Sequence, residues 1–430
     1  MQKKKLLVIL GAGSSLAHGM PSVSELNSLL LDWSQEWLQS HPDHDNYYQN
    51  VHQNAAKYSG HIIERYQRPT NYEYLLGDLA ELANWLKPSP FGNPLRLWMA
   101  QDGLPVGMKF PKHGTFEEFF CVNAQATNLL TRWANNMRSR CQKIDTTTTQ
   151  FSRYKGLVGG LREFFDVGIF NLNYDNVALN AWPDAFTGFS NSGQFEPSCV
   201  HRRNEWGFIY HLHGSVHHRL LEIKDTLAPF FTEPQRTAIC WESDLSKAVE
   251  NEDSDGRRSL QLSDGKLLPR TTLISGRFKL DQLLIDPYQS FYAALVRHIY
   301  EADAVMIGGY GLADPHVNHV LQNRWTESGQ MPPLLILTKA DDGEQPLLCR
   351  KDAWGSQFRN IFRLDTQLFS RPSGLPGRAT VSQIRDDSTF EVSNLSQAPV
   401  ATWYGGFYEV IVRLDAIVRW LDGDRLSLPR

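Results

Sequence analysis

A chain of 430 residues with 41% hydrophobic and 21% charged side chains holds ample apolar material for a packed core, which excludes wholesale disorder. Its formal charge of −4 argues against a polypeptide built to coat nucleic acid, and direct nucleic-acid binding is not evident. The basic start Lys3-Lys4-Lys5 leads into an apolar run too short for a secretory leader, and no stretch approaches the ~18 apolar residues of a membrane span. A cytoplasmic chain with no membrane association is expected, and the length accommodates roughly two or three domains.

The first element is Leu6-Leu7-Val8-Ile9-Leu10, which reads as a buried strand. Gly11-Ala12-Gly13-Ser14-Ser15 follows as a turn whose glycines let the backbone approach a pyrophosphate at the positive end of the next helix. A tight turn that holds no ligand is the alternative. Ser22-Val23-Ser24-Glu25 fits a capping box, and Leu26, Leu29 and Leu30 begin the apolar face of that helix. Residues 31–165 read as largely helical. Thr70-Asn71-Tyr72-Glu73 is a second capping box, opening a helix whose Leu75, Leu79, Leu82 and Leu86 form a core stripe. A Pro/Gly stretch from Pro88 to Pro111 interrupts the block, and Phe116 to Arg138 resumes a helical pattern.

Strand patterns return at Val167 to Asn171 and Phe208 to Leu212, followed by a polar insertion over 217–280. Pro287 to Glu301 reads as a helix with Phe291, Leu295, His298 and Ile299 on or near one face. The strand Ala304 to Ile307 ends in Gly308-Gly309-Tyr310-Gly311, and Leu334 to Thr338 is a further strand. Ser370 to Pro399 reads as a long loop, and a helix over roughly Phe407 to Leu421 closes the chain.

This alternation predicts an α/β fold: a doubly wound, Rossmann-like parallel sheet with an inserted helical module. The expected division is an α/β domain from 1–30 and 160–340, a helical module at 31–159, and a C-terminal extension at 341–430 that packs on the core or in an oligomer interface. In an open parallel sheet the carboxyl ends of the strands line one crevice, so Asn173-Tyr174-Asp175 and His211-Leu212-His213-Gly214 can converge with the glycine turn on one ligand. Two positions apart, Asn173 and Asp175 share a side in an extended segment, unless they only close the strand through Asx turns. Asp314 either joins this site or merely caps the helix through His316 and Asn318. His211, His213, His217 and His218 have no acidic partner at a diagnostic spacing, so no metal site is expected, and all but His213 are expected to be solvated. Asp253-Ser254-Asp255-Gly256 lacks the twelfth-position Glu of a calcium loop. The five cysteines, Cys121, Cys141, Cys199, Cys240 and Cys349, form no C-x-x-C pair and are expected to be core or inert thiols.

Taken in order, several islands resemble the sirtuin-like superfamily, in particular its bacterial antiphage branch of NAD-cleaving enzymes. They are Gly11 to Ser15 with Gly19-Met20-Pro21, Asn171 to Asp175, His211 to Gly214, Thr272 to Leu280, Gly308 to Asp314 with His316 and Asn318, and Trp403 to Phe407. The departures bear on the branch. Residues 217–280 hold a single cysteine, Cys240, where deacylating sirtuins carry two C-x-x-C pairs. Ser22-Val23-Ser24 replaces Asp-Phe-Arg, and Leu172 replaces the usual Gln.

The resemblance implies NAD+ as substrate, no zinc, and hydrolysis to ADP-ribose and nicotinamide, with protein deacylation in doubt. Such a reaction builds positive charge at the ribose carbon and needs a base. It makes His213 the catalytic histidine, Asn173 the residue that holds the ribose or water, and Asp175 the partner of the nicotinamide carboxamide. Gly11, Ala12, Gly13, Ser14 and Ser15 would cradle the pyrophosphate, and Gly308, Gly309, Tyr310 and Asp314 would complete the cofactor site. Thr338 is positioned to reach the adenosine ribose. A homo-oligomer is also implied, with control by a partner such as a HerA-type ATPase or a short Argonaute. The rivals are a non-catalytic NAD or ADP-ribose subunit of an ATPase or nuclease complex, and residual deacylase or ADP-ribosyltransferase activity.

Overall fold

The computed structural model describes residues 3–61, 71–86, 116–220, 239–250, 260–261, 267–268, 271–274, 279–283, 285–327, 331–339, 353–362, 390–392 and 399–423. Its central sheet comprises β1 (Lys4–Leu10), β2 (Phe165–Asn171), β3 (Phe208–His211), β4 (Ala304–Gly308), β5 (Leu334–Leu337), β6 (Phe390–Val392) and β7 (Val400–Trp403). The spatial order is β6-β7-β5-β4-β1-β2-β3. All neighbours are parallel except β6, which runs antiparallel to β7 at one edge. Val8 sits opposite both Ile169 and Met306, so β1 is the centre from which the chain winds first one way and then the other. The expected doubly wound Rossmann-like sheet is present.

Alternation along β1 divides the core. Leu7 and Ile9 face one cluster, with Phe291, Leu295 and Ile299 of the helix Tyr288–Glu301 and Leu321 of Pro315–Thr326. Leu6, Val8 and Leu10 face the other, with Tyr154 and Leu161 of Thr149–Phe164 and Ile417 and Leu421 of Leu414–Leu421. Both faces of the parallel sheet are thereby covered, as continuous apolar strands require.

A third core belongs to the helical module: α1 (Val23–Ser40), α2 (Tyr47–His61), α3 (Tyr72–Leu86) and α4 (Phe116–Gln142). Leu26, Leu30, Leu75, Leu79, Leu86, Leu129 and Trp133 pack there, and so do Tyr174, Val216 and Leu273 from loops of the sheet domain. Here burial moves the expected boundaries. The apolar face of α1 joins the module, whereas the helix at 149–164, hereafter α5, covers the sheet. The C-terminal segment does more than pack on the core, because β7 lies between β5 and β6 within the sheet.

Other local differences have local causes. Two single 3-10 turns, Ala12–Ser14 and Leu16–His18, separate β1 from α1, whose start at Val23 is set by Ser22 accepting from the Glu25 amide. The closing helix divides into Phe407–Val410 and Leu414–Leu421. Part of the expected loop at 370–399 is β6. Most of that stretch, Pro88 to Pro111, Asp253 to Arg257 and Cys349 lie outside the described residues. Among the described residues no helix is long and apolar enough to cross a membrane.

Candidate functional site at the strand carboxyl ends

The winding of the sheet reverses between the parallel neighbours β1 and β4, and the two loops leaving these strands are laced together. Gly11 donates its N–H to the Gly308 carbonyl and Gly13 to that of Gly309, each at 2.9 Å. The approach is too close for side chains: a Cβ on Gly11 would lie 2.7 Å from Tyr310 Cα, and one on Gly309, at φ +64°, would lie 2.3 Å from the Ser14 nitrogen. Ser14 and Ser15 donate their N–H groups back to Gly11 and Ala12 and are buried, while Ala12 is exposed and Gly13 half-buried. Any anion meeting this loop therefore meets the Ala12–Gly13 rim, and the serine hydroxyls are turned inward.

What they meet is the segment after β2. Asn173 Nδ2 lies 2.9 Å from the Gly11 carbonyl, 3.1 Å from Ser14 Oγ and 2.8 Å from Ser15 Oγ. Ser15 also hydrogen-bonds Asp175, so Asn173 and Asp175 do share a side. The Asx turn exists as well, since the Val177 amide donates to Asp175 Oδ1 at 3.0 Å. Burial pushes the Asp175 carboxyl above its usual range, against the opposing hydrogen bonds from Ser15 and Val177. Tyr174, between them, packs on Trp133 of α4, with its ring 6.5 Å from that of His213.

His213 stands two residues beyond β3. Its Nε2 is 2.8 Å from Asp314 Oδ2 and 3.1 Å from the Tyr292 hydroxyl. The main chain around it is fixed: the Ile274 amide donates to the His213 carbonyl at 2.7 Å. Gly214 takes φ +102°, where a Cβ would be 2.3 Å from the Thr272 carbonyl oxygen. Asp314 caps the next helix as well as meeting His213: its Oδ1 accepts from the His316 and Val317 amides (2.9 and 3.1 Å) at the start of the helix Pro315–Thr326.

Lys279 Nζ lies 3.3 Å from Asp314 Oδ2 and 3.1 Å from Glu73 Oε2 of α3. Burial opposes ionisation of Asp314, but the hydrogen bond and charge of His213, the charge of Lys279 and the Val317 N–H outweigh it and hold the carboxyl well below the usual range. A carboxylate on Nε2 favours the tautomer with the proton there, leaving Nδ1 as the acceptor.

Lys279, Glu73 and Tyr292 are members of this network that the sequence did not single out. Glu73 was visible only as the acid of a capping box and Lys279 only as a member of the island Thr272 to Leu280, and nothing local marks Tyr292.

The remaining expected residues lie around the glycine loops. Tyr310 accepts the Asp314 amide (3.0 Å) on its hydroxyl and donates to Asn318 Oδ1 (2.8 Å), so it braces the turn that carries Asp314. Gly308 makes room for the Phe407 ring, 2.7 Å from where a Cβ would be. Thr338 is buried at the end of β5, its N–H on the Trp403 carbonyl and its carbonyl on the Gly406 amide. The Tyr408 hydroxyl donates to the Ser14 carbonyl, closing the back of the glycine loop.

His211, His217 and His218 are buried, contrary to the expectation of solvated histidines. Their aromatic and backbone surroundings explain it: His217 stacks on Trp241 at 4.6 Å, and His211 Nε2 meets the Asp175 carbonyl at 3.2 Å. Burial lowers the His211 pKa to about 3. Among the described residues no group of three or more His, Cys, Asp or Glu could hold a metal ion.

A doubly wound parallel sheet whose strand ends carry a glycine-laced crevice and a histidine–carboxylate pair defines a Rossmann-like α/β protein. Residues 167–357 match the family model described as a SIR2-like domain, which supports a sirtuin-like family, one of NAD-dependent enzymes. The match takes in Asn173, Asp175, His213, Lys279 and Asp314, and leaves β1, the glycine turn and the helical module outside. No curated protein matches the chain.

Proposed function

We propose that the protein is an NAD+ glycohydrolase that cleaves the nicotinamide–ribose bond to give ADP-ribose and nicotinamide. The observation that carries this reading is the 2.8 Å contact of His213 with Asp314 at a strand end, within a SIR2-like match. Gly11, Gly13 and Gly309 let the two strand-end loops close on each other, which leaves the Ala12–Gly13 rim as the part of the loop that could meet a dinucleotide, and the nearby Asp175 carboxyl is buried with its pKa raised by that burial.

Bound NAD+ would supply a glycosidic bond to a cationic leaving group. His213, held through Nε2, keeps Nδ1 free to take a proton from water or a hydroxyl, which is general base catalysis worth about 10²–10⁴-fold. Asp314 fixes the tautomer and stabilises the protonated ring, the role a third group plays in any oriented nucleophile–base pair. Asn173 keeps the Gly11–Ser15 loop in register with β2 and, on this reading, orients the ribose. The Ala12–Gly13 rim would face the pyrophosphate, with Gly308 and Thr338 on the adenosine side.

The sequence resemblance supports an antiphage role in the cytoplasm. Loss of NAD+ would halt an infected cell, so the activity would be gated in a homo-oligomer by a separate partner such as a HerA-type ATPase. The lone Cys240 in 217–280 favours hydrolysis over zinc-ribbon-dependent deacylation. Incubation with NAD+, with and without an acylated peptide, followed by nucleotide chromatography, tests the reaction. Nicotinamide and ADP-ribose formed without peptide support it. Strict peptide dependence, or tight binding with no turnover even beside a partner, defeats it.

A further inference from the structure

The Glu73–Lys279 ion pair joins the helical module to the His213–Asp314 pair, although neither residue belongs to the strand-end loops. Glu73 opens α3, its amide capped by Asn71 Oδ1 at 2.9 Å and its carboxylate also hydrogen-bonded by Tyr72. Lys279 Nζ spans 3.1 Å to Glu73 and 3.3 Å to Asp314, and its side chain is only 14% exposed. The same Asp314 oxygen receives Lys279 and His213. We infer that Glu73 and Lys279 are positioning residues for the reaction proposed above, setting how much of the Asp314 charge is left for His213 and thereby tying the site to the place of α3.

The electrostatics have a definite sign. Tyr292 from Tyr288–Glu301, Tyr310 after β4, and Tyr174 after β2 face the same cluster, but burial raises all three far above their ordinary range and keeps them neutral. His316, at the start of Pro315–Thr326, is pushed by burial toward its neutral form. The charges left are Asp314, Lys279 and Glu73. Lys279 competes with the imidazolium for Asp314, and Glu73 draws Lys279 the other way. Removing Glu73 leaves the Lys279 cation uncompensated and disfavours a proton on His213. Removing Lys279 leaves Asp314 to His213 alone and favours that proton.

Three variants of the full chain test this: Glu73→Gln, which keeps the α3 cap, Lys279→Met, and Lys279→Arg. Two readouts are taken on each, the pH dependence of NAD+ hydrolysis and the titration of the His213 ring followed by 15N NMR, with the resonance assigned through His213→Gln. The expected result is opposite displacement. The titration midpoint and the acid limb of the rate profile move down in Glu73→Gln and up in Lys279→Met, each by about 0.5–1 pH unit. Turnover falls about tenfold in both while KM stays within about twofold, and Lys279→Arg restores both readouts to near the parent values.

A structural role alone would lower activity in both variants without moving the midpoints apart. Midpoints that shift together, or not at all, overturn the inference while leaving glycohydrolase activity untouched. If the parent chain does not hydrolyse NAD+, the proposed function fails and the NMR titration still decides whether the arm sets the histidine.

Discussion

Asp314 binds two different parts of the molecule with its two oxygens: Oδ2 meets His213 Nε2 at 2.8 Å, and Oδ1 accepts the first amides of the helix that follows it. The residue that starts a helix is thus the residue that orients the candidate base. A rigid element holds that carboxylate in place, as a precise site requires.

These two duties separate by substitution. Asp314→Asn keeps a good N-cap, since Asn and Asp serve equally there, but replaces the anion that fixes the imidazole tautomer. It is expected to lower kcat for NAD+ hydrolysis by about 10²–10⁴-fold, with a stability loss from the broken Lys279 pair that any neutral residue at this position shares. Asp314→Ala should match that loss of turnover and in addition lower the unfolding free energy by about 1 kcal/mol through the lost cap. Steady-state rates and urea unfolding of the two variants, side by side, check it.

His213→Ala and Asn173→Ala should both abolish turnover, but for different reasons. His213 holds no part of the sheet together, and its loss leaves Asp314 paired with Lys279. The protein should remain folded with a melting temperature close to the parent's. Asn173 Nδ2 joins the glycine loop to the β2 segment, so its removal cuts the hydrogen bonds between them, although the Gly11 carbonyl keeps Ser14 Oγ and Ser15 keeps Asp175. A stability loss of about 1–3 kcal/mol is expected beside the loss of activity. Equal stability of the two variants would contradict the bracing role of Asn173.

The parts of this molecule that local pattern determines were readable in advance, and the rest depended on distant partners. Leu6 to Leu10 read as a strand because both faces of β1 are covered, and Ser22 signalled the start of α1 through a bond three residues long. The meeting of Asn173 with the glycine turn followed from the strand-end rule for open parallel sheets. The burial of His211, His217 and His218 did not follow. It depends on Trp241 and Phe189, brought in from other segments, and a polar side chain in isolation reads as solvated. The pairing of Lys279 with Glu73 was hidden for the same reason: it is a product of the helical module docking on the strand ends. Likewise β7 sits in sequence after a Pro- and Ser-rich stretch that reads as a tail, and only pairing with β5 reveals it as an interior strand.

Acid should weaken the fold well above the range where carboxylates titrate. Burial lowers the pKa of His211 to about 3 and that of His298 to about 4, from 6.5, so the unfolded chain takes up protons that the folded chain refuses. This contribution to stability is complete above pH 6.5 and is lost as pH falls toward the folded values, at about 1.4 kcal/mol per pH unit for each histidine. Asp175, raised by burial, opposes this slope, and Asp314, lowered, adds to it only below about pH 4. The free energy of unfolding in urea should therefore drop between pH 7 and pH 5. Replacing His298 by Gln should flatten that dependence. An unfolding free energy that is level or rising toward pH 5 would contradict the assignment of neutral, buried imidazoles.

The segment that matches the SIR2-like model should not fold when cut out. Residues 167–357 begin inside β2 and include β3, β4 and β5, but β2 and β4 are each bonded to β1, which the fragment lacks. Without β1 the parallel sheet has a gap at its centre, and Ile169, Phe170, Met306 and Ile307 lose the strand that covers them. Without β7 and the helix Leu414–Leu421, β5 becomes an open edge, and Leu335 and Leu337 lose Ile417 and Leu421 from their cluster. Unpaired apolar strand edges are templates for association. Expressed alone, the fragment should be recovered as aggregate or as a species without cooperative thermal unfolding. Adding residues 1–30 by themselves should not rescue it, because α1 would then lack the module against which Leu26 and Leu30 pack and β5 would still lack β7. A soluble fragment with a sharp melting transition would show that the sheet tolerates the loss of its central strand.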